Sequence, residues 1–184
     1  MITRIGKFLL VAVACLLALV ACSSNEPDRT PCPSARVLGE PSELTRFADG
    51  AGRGPVDVAF EARFQRVAGE CSYSKGGGKI EVELTVVMDV ARGPAAGDRA
   101  ASFSYFVAVS ERADEPGAEP RILTRQSFPV EASFPPGRNG LRYTDVLDVT
   151  IPRGKDRPVG DYVMYLGFEL TPEELSYNRR RGER

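Results

Sequence analysis

Histidine is absent from all 184 residues. That absence removes the commonest general base near neutral pH, the Ser-His-Asp triad and the histidine ligand sets of zinc and periplasmic copper sites. No CxxC pair occurs, so a redox or thiolate-metal motif is missing, and no GxxxxGK[ST] spacing occurs to build a phosphate loop. The uncharged stretch at residues 8–20 is thirteen residues long, short of the about 17 to 25 that a transmembrane helix needs. Charge of one sign is also lacking: the formal net charge is −1. This balance argues against general nucleic-acid binding.

What the N-terminus does have is an export pattern. Arg4 and Lys7 precede the uncharged stretch, and Leu19-Val20-Ala21-Cys22 closes it, as in the charged and apolar regions of a secretory signal. These residues resemble the bacterial lipoprotein signal family, whose lipobox is Leu, a small or aliphatic residue, Ala or Gly, then Cys. The resemblance implies cleavage before Cys22, diacylation of its thiol and acylation of the freed amine. Several acyl chains, at about 0.8 kcal/mol per buried methylene, would hold the protein firmly on a membrane. Ser23 follows the cysteine, which in the enteric version of the family directs transfer to the outer membrane. The expected location is its periplasmic face, with the inner membrane as the alternative.

Removing residues 1–21 of the 184 leaves 163, and losing Arg4 and Lys7 shifts the formal charge from −1 to −3. That length suits one domain with a sizeable core. Besides the lipidated Cys22, the mature chain keeps Cys32 and Cys71, and in an oxidising compartment such a pair normally bridges. The expected disulfide ties the N-terminal segment to a predicted hairpin. The chain-entropy account assigns about 3 to 4 kcal/mol to a loop of this size.

Downstream the apolar pattern has period two. Ile80, Val82, Leu84, Val86, Met88 and Val90 alternate with Glu81, Glu83, Thr85 and Asp89, the pattern of a strand with one face toward a core. Shorter alternations run through Val58, Phe60, Ala62 and Phe64, through Phe103, Tyr105, Val107 and Val109, and through Tyr143, Leu147, Val149 and Ile151. The strand at residues 162–170 is apolar on parts of both sides, which predicts a central place. Pro129 interrupts residues 122–134, predicting two short strands or one bent edge strand. Glycine- and proline-rich segments separate the runs, including residues 75–79 and Asn139-Gly140, the latter read as a source of positive φ.

About seven antiparallel strands in this length predict an all-β, two-sheet sandwich. Pro158-Val-Gly-Asp-Tyr162 ahead of a strand resembles the late corner of immunoglobulin-like and fibronectin-III-like domains. There Tyr162 would cap a backbone group with its hydroxyl. Thr171-Pro-Glu-Glu174 reads as a helix start with a capping box, and one or two turns are expected. The boundaries are 1–21 leader, 22–33 lipidated tether, 34–177 sandwich and 178–184 a basic disordered tail around Arg179, Arg180, Arg181 and Arg184. The mature sequence resembles small uncharacterised β-rich lipoproteins of proteobacteria, a likeness that conveys an envelope class and no catalytic residues.

Without histidine, catalysis falls to carboxylates, and Glu81 with Glu83 or Asp145 with Asp148 are the pairs a glycosidase would use. Alternation places Glu81 and Glu83 on a solvated face, where charge keeps a strand soluble. Phe106 and Tyr165 fall opposite their strands' main apolar sides, which makes them the candidate binding residues. No cofactor, metal or nucleic acid is expected. The expectation is a lipid-anchored, noncatalytic envelope protein that binds a protein partner as an accessory subunit; the alternative is a periplasmic carrier of a small apolar ligand or lipid.

Overall fold

The computed structural model describes residues 31–50, 52–115 and 117–182. The leader, the lipidation residue Cys22 and most of the tether lie outside them. No helix among the described residues is long and apolar enough to cross a membrane.

Eight strands and one helix follow in order: β1 (Ser34–Val37), β2 (Glu43–Phe47), β3 (Val58–Tyr73), β4 (Lys79–Arg92), β5 (Ala100–Glu111), β6 (Arg121–Ser133), β7 (Gly140–Pro152), β8 (Tyr162–Phe168) and α1 (Pro172–Gly182). They form two four-stranded sheets, β1-β8-β5-β6 and β2-β3-β4-β7. This is the expected all-β sandwich, to which β1 and β2 add two short strands not read from the sequence, β1 pairing parallel to β8. In an immunoglobulin-type order the last two strands share one sheet, whereas here β7 and β8 lie in opposite sheets.

The alternation in β4 buries Ile80, Val82, Leu84, Val86, Met88 and Val90 to at most 1 % exposure. Across the gap they meet Phe103, Tyr105, Val107 and Val109 of β5 and Tyr162, Met164, Leu166 and Phe168 of β8. Each such side chain contributes about 1.5 to 3 kcal/mol when fully buried. Aromatic rings bridge the sheets, Phe64 to Phe168 at 4.5 Å and Phe60 to Phe103 at 6.0 Å between centroids.

A bulge between Phe64 and Arg66 shifts the phase of β3, so one extra residue turns the strand's second half over. Val67, Cys71 and Tyr73 then lie opposite the inward Val86, Val82 and Ile80. Cys71 thereby meets Cys32, just ahead of β1, and the two form the expected disulfide. It joins the edge of the first sheet to the second. β8 is interior to its sheet, as its two-sided apolarity predicted. β6 is one continuous edge strand rather than two, since an edge position spares Pro129 a missing ladder bond.

The β3–β4 turn takes positive φ at Gly76 and Gly77. Between β6 and β7 the positive φ falls on Gly137, not on Asn139-Gly140 as the sequence suggested; Gly140 already opens β7. Where the chain leaves β4, a Cβ on Gly93 would lie 2.0 Å from the Val58 carbonyl oxygen. Only glycine allows that crossing.

The C-terminus departs from expectation. Thr171 and Glu174 do exchange the two capping-box bonds, at 2.8 and 3.2 Å. The helix then continues through Gly182 for 11 residues, so residues 178–182 are ordered helix and not a disordered tail. Asn178 donates to the Glu40 and Glu43 carbonyls, Arg179 makes a two-pronged pair with Glu40, and the Tyr177 ring packs edge-on against Phe47 at 5.0 Å. Acidic side chains from a distant segment neutralise the arginine run and hold it on β2.

Candidate functional site

The outward face of the second sheet is assembled by the register of β3, β4 and β7. At one end Asp89 lies between Arg63 and Arg142 on the flanking strands. Arg142 grips Asp89 with two hydrogen bonds, of 2.8 and 3.2 Å. Those bonds hold the Asp89 carboxyl below the usual carboxylate range, and Arg63 adds to the effect through space. The next rows, Arg66-Val87-Thr144 and Ala68-Thr85-Val146, are nearly free of charge.

At the other end Glu83 lies between Glu70 and Asp148. Among the described residues no hydrogen bond or ion pair reaches these three carboxylates. Like charges directly opposite on neighbouring strands are unfavourable. Glu81, two residues along the same face, is flanked by Ser72 and Thr150, and Lys79 stands beyond it.

Beside the Arg63-Asp89-Arg142 row the face sinks into an open trough of about 690 Å³. Glu43, Glu61, Arg138 and Arg181 stand at its walls, with the half-buried Leu141 beside them. α1 sets one wall: Glu174, nearly buried, holds Arg46 of β2 at 2.6 Å, which brings Arg181 within 3.8 Å of Glu43 and 3.7 Å of Glu61.

The sequence candidates distribute as follows. Glu81 and Glu83 share the outward face of β4, as alternation predicted. Asp145 and Asp148 are separated by the strand: Asp148 faces out, while Asp145 points between the sheets and accepts the Tyr105 hydroxyl at 2.9 Å and the Val146 N–H at 3.0 Å. Burial, and then the Asp145 carboxylate, pushes the Tyr105 phenol above the ordinary tyrosine range. An inward charge on an edge strand guards against edge-to-edge pairing, which accounts for Asp145 without catalysis.

Phe106 and Tyr165 lie half-buried on the outward face of the first sheet. The Arg125 guanidinium sits 4.4 Å above the Phe106 ring, Glu169 and Ser127 hold that arginine's neighbourhood together, and Pro41 closes over Gly167 beside it. Phe106 therefore already has an intramolecular occupant. Tyr162 is fully buried and takes the Gly154 N–H on its hydroxyl at 3.0 Å, the backbone contact expected of it. The same hydroxyl bonds the Glu111 carboxylate.

Glu70 escapes an alternation reading because it follows the bulge in β3. Counting back from the turn at residues 74–78 would have found it: Tyr73 opposite Ile80 brings Glu70 opposite Glu83. Among the described residues no group of three or more acidic or cysteine side chains is placed to hold a metal. The chain matches no family model, no curated protein and no solved structure.

Proposed function

We propose that this protein is a lipid-anchored, noncatalytic envelope protein, held through Cys22 on the periplasmic face of the outer membrane, that acts as a docking subunit for a protein partner. The partner seats on the outward face of the second sheet. The observation that carries this reading is the Glu70-Glu83-Asp148 row, three carboxylates without a cation on a face whose other end alternates in sign. A fold gains nothing from such a row, whereas a cationic surface does. The absence of histidine supports a binding role over a catalytic one. A carrier of apolar ligands needs the two sheets to part, yet Phe64 meets Phe168 across the gap, so the docking reading is the one retained.

The test is crosslinking in cells followed by capture of the tagged full chain from fractionated membranes, beside Glu70→Arg and Cys22→Ser. The expected result is one stoichiometric protein partner retained by the wild type, lost from Glu70→Arg, and recovered with the outer membrane. Equal recovery of that partner with Glu70→Arg would remove the face from consideration, and a soluble wild type would remove the anchor.

A further inference from the structure

The charge order along the outward face of the second sheet is self-complementary, and from it we infer that the occupant of this face is a second copy of the same chain. This rests on the docking reading above. On β4 the offset from Glu83 to Asp89 corresponds to about 20 Å at the rise of a strand. A two-fold axis lying in the face, perpendicular to the strands and passing near Thr85 and Val87, reverses strand direction while keeping strand order. It lays Glu70 of one copy over Arg63 of the other, and Asp148 over Arg142. Arg142 is thereby shared between Asp89 of its own chain and Asp148 of the other, and Glu83 opposes Asp89, the one like-charged pair of the contact.

The rows between the charged ends fit the axis. Val146, 56 % exposed, Val87 and Ala68 sit there with Thr85, Thr144 and Arg66, and the axis lays Arg66 of one copy over Ala68 of the other, beside its Glu70. The flanking geometry agrees as well. β2 and α1 flank only the Arg63 end of β3, and the reversed copy presents beside them its own Glu70 end, where no β2 is paired. Such an interface is isologous: each contact occurs twice. A foreign partner carrying only cations would use the acidic row and leave the Arg63-Arg142 end unused; a second copy uses both.

Because the contact is built on exposed charge, it is salt-sensitive. The experiment co-expresses two differently tagged full-length chains and measures capture of one by the other in mild detergent at low and high salt. Wild type is expected to capture wild type at low salt, and high salt to weaken it. Glu70→Arg alone and Arg63→Glu alone each lose self-capture by about tenfold or more, since like charges then face each other twice. Pairing Glu70→Arg with Arg63→Glu restores capture, because every reversed contact is again of opposite sign. Thermal midpoints are expected to shift by only a few degrees, slightly up in Glu70→Arg and slightly down in Arg63→Glu, so that capture lost in both separates lost docking from lost folding.

Self-capture untouched by either reversal would overturn the proposed face. Absence of wild-type self-capture, with a different envelope protein retained and lost from Glu70→Arg, would overturn the second copy and leave the docking reading standing. Retention of no protein at all would overturn both.

Discussion

Two rows of side chains on the same face, carried by the same three strands, are treated in opposite ways. Arg63-Asp89-Arg142 alternates in sign, and its centre is gripped from β7 by two hydrogen bonds. Glu70-Glu83-Asp148 repeats one sign and has no internal partner among the described residues. Strand pairing favours the first arrangement and disfavours the second by a few tenths of a kcal/mol per pair. A buried carboxylate is treated like the first row: Glu111, 6 % exposed, gathers Arg121 at 2.6 Å and the Tyr162 hydroxyl. Local rules broken at one place and kept at others mark that place as selected for something other than folding.

The contrast is sharpened most by removing a carboxylate the fold uses. Glu111→Ala leaves the buried Tyr162 hydroxyl and Arg121 short of an acceptor, and is expected to cost about 1 to 3 kcal/mol, read from the midpoint of urea unfolding. The same residue gives the fold an acid limb. The hydrogen bond from Arg121 leads the causes that hold its carboxyl below the usual glutamate range. Its stability contribution is therefore complete above the unfolded-state value of about 4.3 and is lost as pH falls through the lowered folded-state value. Denaturant midpoints measured downward from pH 6 should fall, and fall less steeply in Glu111→Gln. An equal slope in the two proteins would assign the acid limb to other carboxylates.

Tyr105→Phe comes next in size. It removes the bond to Asp145 from inside the sandwich and is expected to cost about 1 kcal/mol, with no effect on capture of a partner at the second sheet's outward face. A smaller loss, under about 1 kcal/mol, is expected of Asp89→Asn, which leaves Arg63 and Arg142 without the anion between them. Melting temperature and urea midpoint measure both. A gain of stability in Asp89→Asn would erase the difference between the two rows.

Much of the sandwich is legible in residue order, because β4 and β8 declare themselves by side-chain period alone and the Thr171-Glu174 cap by its spacing. What is not legible depends on partners remote in sequence. Asp145 stands in the apolar phase of β7 yet reads from the sequence only as a carboxylate beside Asp148, until Tyr105 supplies its hydrogen bond from the other sheet. The arginine run of α1 reads as a solvated tail until Glu40, just before β2, and Glu43, its first residue, arrive beside it. The site suffers most from this. Glu81 and Glu83 are visible as an acidic pair, but the row across β3, β4 and β7 exists only once the bulge between Phe64 and Arg66 has set the register.

The smallest expected effect is the most informative about that row. Glu83→Gln keeps the side chain's length and removes the central charge, so it relieves repulsion toward both Glu70 and Asp148. The expected change is a gain of a few tenths of a kcal/mol at low salt, shrinking as salt screens the neighbours. Urea midpoints at two ionic strengths resolve the sign. In the same protein, capture of a second copy on this face should hold or strengthen at low salt, because Glu83 of one copy opposes Asp89 of the other and the substitution removes that repulsion. A Glu83→Gln protein destabilised at both ionic strengths would mean that the carboxylate is held by the fold after all, and the row would lose its standing as a docking surface. Glu70→Gln is the contrast, since it relieves the same row and removes a charge that meets Arg63 of the other copy: stability rising while capture falls is a pairing that a merely structural glutamate has no means to produce.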